Sequence, residues 1–134
     1  MNDVSKWGHK DEWHQYGKDF LVVVKRYAVE PASFDSYQGP NRWGVYAYIY
    51  PKHQLFSGFC GPSMWQPAAN ALPLHGGPSL LRWHYSDDHK PTSVQIGADY
   101  NHLHDERFSK YTTADDAYEV FADAQQLFGY LTKA

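Results

Sequence analysis

The stretch Trp43-Gly44-Val45-Tyr46-Ala47-Tyr48-Ile49-Tyr50 (WGVYAYIY, 43–50) decides the fold. Val45, Ala47 and Ile49 alternate with Tyr46, Tyr48 and Tyr50. An extended chain sends successive side chains to opposite sides, so this order makes one aliphatic face and one aromatic face. The period of two predicts a strand, and apolar surface on both sides predicts that both faces are covered. Pro51 ends it, because proline has no N–H for a sheet ladder.

Working outward, Phe20 to Tyr27 (FLVVVKRY) is a β-branched run and predicts a second strand. Ser79 to Tyr85 (SLLRWHY) and Thr92 to Asp99 (TSVQIGAD) predict two more, joined by the polar turn Ser86 to Pro91 (SDDHKP) as a hairpin. Val94, Ile96 and Ala98 share one face of the last of these. Thr113 suits a helix N-cap, with Asp115 and Asp116 at the positive end of the helix dipole. Ala117, Val120, Phe121, Ala124, Leu127, Phe128 and Leu131 then recur at steps of three and four, an apolar stripe that must pack on a sheet. Gly129 weakens the last turn. Residues 1–18 are polar and predict an arm or a short helix. Residues 57–78, with Gly58, Gly61, Pro62, Pro67, Pro73, Gly76, Gly77 and Pro78, predict a long irregular segment of the kind that carries function. The expected fold is α+β: one domain over 1–134, with an antiparallel or mixed sheet of about four strands and a C-terminal amphipathic helix packed on it.

The chain has 134 residues, a formal net charge of −3 and no basic tract, which argues against duplex nucleic acid as a partner. Cys60 is the single cysteine, so no intramolecular disulfide forms; between Phe59 and Gly61 it is expected to be a packed thiol. The first twenty residues do not read as a signal peptide, and no apolar run approaches the roughly 18 residues of a membrane span. A cytoplasmic protein that does not enter the membrane is expected.

Chemistry concentrates in Ile96 to Phe108 (IGADYNHLHDERF), which holds Asp99, His102, His104, Asp105 and Glu106. In a helical turn His102 and Asp105 share a face, and Asp99 can join them from the strand end. Such a set can hold a metal through imidazole nitrogen and carboxylate oxygen, hold His102 as a general base with a carboxylate fixing its tautomer, or cap the turn with hydrogen bonds. A hairpin brings His75, of Leu74-His75-Gly76-Gly77, toward the same strand end. His75, Asp99, His102 and Asp105 are therefore the candidate metal ligands, for Zn, Mn or Ni. His102 and Asp105 are the candidate catalytic pair. Gly76 and Gly77 are candidates for a close approach to a ligand. His53 reaches this rim only if the 43–50 strand runs parallel to the 92–99 strand. Phosphate-loop, dinucleotide-binding, Cys-x-x-Cys and nucleophile-elbow motifs are all missing. Ser63 reads as a cap or loop hydroxyl, and Trp65 as a lid over a pocket or a packed surface ring.

GVYAYIYPKHQLF (44–56), LPLHGGPSL (72–80) and VQIGADYNHLHD (94–105) together resemble a family of small phage and prophage proteins of unknown function. Its pattern is a Gly-Tyr-Val strand leading to Gly-His-Pro-Leu, then His-Gly-Gly-(Ile/Leu)-Thr, then Asp-x-x-His-x-x-Asp. The likeness covers about the middle half of the chain and matches His53, His75, Gly76, Gly77, Asp99, His102 and Asp105. Lys52 replaces Gly, Gln54 replaces Pro, Pro78 and Ser79 replace the (Ile/Leu)-Thr pair, and His104 stands where Gly or Trp is usual. The resemblance implies a phage accessory protein in the host cytoplasm and supplies no activity.

Three functional expectations result. The first is an accessory protein that binds a host protein or a small ligand. The second is a metal-dependent hydrolase of phosphate esters, with Lys52, Arg82 and Arg107 as candidate phosphate contacts. The third is a protein that sequesters a nucleotide-like ligand by stacking on Tyr46, Tyr48, Tyr50 and Trp83, with a homodimer as one way to enclose it.

Overall fold

The computed structural model describes residues 10–28, 40–100 and 105–134. Lys10–Gly17 (β1), Phe20–Ala28 (β2), Asn41–Ile49 (β3), Leu80–Tyr85 (β4) and Pro91–Asp99 (β5) form one antiparallel sheet in the order β1-β2-β3-β5-β4. A short helix, Pro67–Asn70 (α1), and 3₁₀ turns at Phe56–Gly58 and Glu106–Lys110 punctuate the connections. Tyr118–Lys133 (α2) closes the chain order. The fold is thus α+β, with a five-stranded sheet rather than about four strands.

The additional strand is β1, in the stretch expected to be an arm or short helix. In KDEWHQYG a single ring, Trp13, packs inward among polar neighbours, so the stretch has no alternating apolar signal. An edge strand needs only a partner's backbone, and β2 supplies it, with Trp13 opposite Val24. The turn between them places Asp19 at φ +64°, as tight hairpins require. The Arg26 guanidinium also ties β1 down. It donates to Asp11 Oδ2 from Nε (3.0 Å) and Nη2 (2.5 Å), and to Asn41 Oδ1 from Nη1 (2.6 Å).

One sheet face carries the core. Phe20, Val22, Val24, Val45, Ala47, Ile49, Val94 and Ile96 pack with Val120, Leu127 and Leu131 of α2. Burying each large aliphatic side chain contributes roughly 1.5–3 kcal/mol, which is why the stripe on α2 fixes where the helix lies. Thr113 caps the turn that leads into α2: its Oγ1 accepts the Asp116 N–H at 3.1 Å. The regular helix begins later, at Tyr118.

The opposite face carries Leu21, Val23 and Lys25 of β2, Tyr46 and Tyr48 of β3, Gln95 and Gly97 of β5, and Arg82 and His84 of β4, by their register. Among the described residues no helix or strand lies over it, and Leu21, Val23 and Gln95 on it are buried. Gly97 sits across from Tyr46, and a Cβ there would stand 2.1 Å from Tyr46 Cδ1 and 2.7 Å from the Val45 carbonyl oxygen. The Tyr46 ring occupies the space that a side chain at 97 would fill, and reaches over Gly44 as well. Burial pushes the Tyr46 hydroxyl up to about 12, with Tyr27 and Asp99 adding to the shift.

Among the described residues no helix is long and apolar enough to cross a membrane.

Candidate functional site

His75 and Asp105 come together, 30 positions apart in sequence. The chain reverses at Leu74 to Gly77, where the Gly77 N–H donates to the Leu74 carbonyl at 3.0 Å. Gly76 and Gly77 adopt φ +70° and +85°, the region open to glycine at little cost. A Cβ on Gly77 would meet nothing within 4 Å, so at that position backbone geometry, not crowding, demands glycine. The reversal delivers the His75 ring onto Tyr100, with centroids 4.4 Å apart and planes 13° from parallel. Phe108 meets the same imidazole edge-on at 5.5 Å. Tyr100 continues the inward alternation of Val94, Ile96 and Ala98, and its N–H donates to the Trp43 carbonyl at 2.9 Å.

His75 Nε2 lies 2.9 Å from both Oδ1 and Oδ2 of Asp105, a carboxylate only 6% exposed. A carboxylate accepts, so the proton of that contact is on Nε2, and in the neutral ring the lone pair is on Nδ1. Beside this pair the Tyr100 hydroxyl donates to Asp123 Oδ2 of α2 at 2.5 Å. Burial first, and the Asp123 hydrogen bond second, push the Tyr100 hydroxyl far above its ordinary value, so it remains a donor. A shallow cleft of about 280 Å³ opens here, lined by Pro73, Leu74, His75, Asp123 and Gln126. At its flank Arg107 Nη2 donates to Glu119 Oε2 at 3.0 Å and the Tyr111 hydroxyl donates to Glu119 Oε1 at 3.2 Å. Arg107 holds the Glu119 carboxyl below its usual range.

The remaining sequence candidates part company. Asp99 follows Ala98 on β5 and turns to the face of Tyr46, away from Tyr100 and His75. His102 and His104 lie outside the described residues. Among the described residues no group of three or more His, Cys, Asp or Glu side chains is placed to hold one metal ion. His53 sits at the opposite end of the sheet, because β3 runs antiparallel to β5 and not parallel to it. There its Nδ1 accepts the Leu55 N–H at 3.1 Å and its Nε2 donates to the Leu131 carbonyl at 2.9 Å. Both ring nitrogens are used to fasten the end of α2 to the loop after β3. Trp83 faces the core, so it does not share a surface with Tyr46 and Tyr48.

Sequence reasoning passed over Gln66, which organises the loop before α1. Its Oε1 accepts the Cys60 N–H at 2.8 Å, and its Nε2 donates to the carbonyls of Cys60 (2.8 Å) and Ser63 (2.7 Å). The Ser63 hydroxyl accepts the Trp65 N–H at 3.0 Å, the loop role expected for it. Trp83 Nε1 ties the loop to β4 by donating to the Gly61 carbonyl at 2.8 Å. The result is a closed loop, not a packed one. Trp65 is 75% exposed, and Cys60 is exposed rather than a buried thiol, because Gln66 fills the loop interior. Gln66 and Asp123 carry no local signal, since a glutamine between Trp65 and Pro67 or an aspartate beside a helix stripe reads as solvated surface.

No family model, curated protein or solved structure matches this chain.

Proposed function

We propose that the chain is a small accessory protein of phage or prophage type that acts in the host cytoplasm by binding a host protein. The phage setting rests on the resemblance of 44–56, 72–80 and 94–105. The observation that carries the binding role is Trp65. An indole 75% exposed on a loop closed by a buried glutamine is an apolar anchor held ready. Tryptophan is over-represented among the few residues that dominate protein interfaces, and a loop already ordered loses less entropy on docking. The test is paired capture from host lysate with wild type, Trp65→Ala and Gln66→Ala. A partner held by wild type is expected to bind Trp65→Ala at least about 30-fold more weakly, with melting unchanged, as for an exposed side chain. Gln66→Ala is expected to weaken the same partner with the indole still present. Identical partners at identical strength in all three would end the proposal.

A second reading is favoured by the carboxylate-held imidazole on an open cleft. In it His75 acts as general base or ligand, with Asp105 fixing its tautomer, in a Zn-, Mn- or Ni-dependent hydrolysis of phosphate esters. That reading predicts turnover falling about 10²–10⁴-fold in Asp105→Asn. Equal activity in wild type, Asp105→Asn and His75→Ala would remove it.

A further inference from the structure

We propose that the sheet face opposite α2 binds a nucleotide, the base stacking on Tyr46 and Tyr48 and the phosphate meeting Lys25. This surface is separate from the Trp65 loop, which packs against the other face of β4 through Trp83.

The side chains of this face are unusual for either a core or a plain solvent surface. Its centre holds two phenol rings on β3, flanked by a lysine on β2 and by an arginine and a histidine on β4. The rings and charges are already arranged around one another. Lys25 Nζ stands 5.2 Å from the Tyr46 ring centroid and 5.9 Å from that of Tyr48, and donates to the Tyr48 hydroxyl at 3.3 Å. The His84 ring lies 5.8 Å from Tyr48 at 31°, and its Nε2 is 2.8 Å from Gln95 Oε1. Gly97 lets the Tyr46 ring lie across β5, so that this phenol belongs to the sheet surface and does not project from it. Aromatic rings offer stacking to any base, and lysine or arginine beside them supplies charge for a phosphate. His84, half-buried and oriented by its contact with the buried Gln95, adds a ring nitrogen for a base edge.

Charge also limits the size of the ligand. In the register the next row along the face runs Glu12, Lys25, Gly44, Asp99, which puts carboxylates on both sides of Lys25. The whole chain carries −3. A long polyanion would run over those acids, whereas a single nucleotide needs only the two rings and one cation beside them.

The measurement is isothermal titration calorimetry of the full chain with AMP, GMP, CMP and UMP, with adenosine and ribose 5-phosphate as probes lacking one half of the ligand. The expected result is saturable binding of at least one monophosphate, weaker for both half-ligands. Tyr48→Ala is expected to weaken it by about tenfold or more, the range seen on losing one stacking ring. Lys25→Gln is expected to weaken it and to flatten its dependence on salt. Tyr118→Ala, which removes an exposed tyrosine on α2, is expected to change nothing. Thermal melts of each variant separate lost binding from lost folding. No heat with any monophosphate at millimolar concentration would overturn the proposal. So would equal binding of ribose 5-phosphate, or undiminished binding by folded Tyr48→Ala and Lys25→Gln.

Discussion

Trp43→Ala is expected to lower stability by about 3–5 kcal/mol, the range for removing a large buried aromatic side chain. Domains of this kind have roughly 5–15 kcal/mol in total, so this one change takes a large share of the reserve. Trp43 is 1% exposed and sits where three parts of the chain meet. Its ring stacks on Trp13 of β1 at 5.7 Å and 18°, and meets Phe121 of α2 near-perpendicular at 6.0 Å. Its Nε1 donates to the Tyr111 carbonyl at 3.1 Å, which fastens the segment before α2 to the sheet. Alanine would leave a cavity against Trp13 and Phe121 and a carbonyl without its donor. Trp43→Phe keeps much of the packing and loses the hydrogen bond, so it is expected to fall between the two. Urea unfolding followed by far-ultraviolet circular dichroism measures both. Trp65→Ala is the internal comparison, at about 0.5 kcal/mol or less, because its ring is in water. A Trp43→Ala midpoint equal to wild type would mean that the 43–50 strand does not organise the core.

Gly97→Ala is the second large effect, and its cause is opposite: crowding rather than loss. The added methyl would stand 2.1 Å from Tyr46 Cδ1 and 2.7 Å from the Val45 carbonyl oxygen. The ring can swing, but the carbonyl moves only if β3 and β5 separate. Overpacking of this kind costs about 1–3 kcal/mol. Tyr46→Ala should relieve the ring part, so the double variant is expected to lose less than the sum of the singles. An additive double variant would show that the ring is not what glycine accommodates. Ultraviolet absorbance titration gives a second readout. In wild type the Tyr46 hydroxyl is pushed up to about 12 by burial. A folded-state value above the unfolded 10.0 contributes stability at pH below the unfolded value and loses it as pH rises toward and through the folded one. Displacing the ring into water by Gly97→Ala is expected to return its titration toward the ordinary range and to remove part of that alkaline loss.

Local order was legible in the chain itself. The alternation in 43–50 and 92–99, the β-branched run in 20–27 and the stripe from Ala117 to Leu131 each state which side of an element is apolar, because neighbours along the chain set that pattern. With SLLRWHY at 79–85, four strands near their observed bounds, a hairpin at 86–91 and a C-terminal helix on a sheet follow from them. Tyr100 was legible in principle too, as the next inward position after Ala98. Tertiary structure decided what no run of neighbours encodes. β1 exists because β2 offers it backbone partners, although KDEWHQYG has no apolar period of its own. The antiparallel pairing of β3 with β5 sent His53 to one end of the sheet and His75 to the other. The pleat put Asp99 and Tyr100 on opposite faces, so that His75 meets Asp105 and stacks on Tyr100, with Asp99 beside Tyr46. Periodicity is a property of residues a few positions apart. Contacts made across 30 positions depend on where the chain reverses and which faces then bury the most apolar surface.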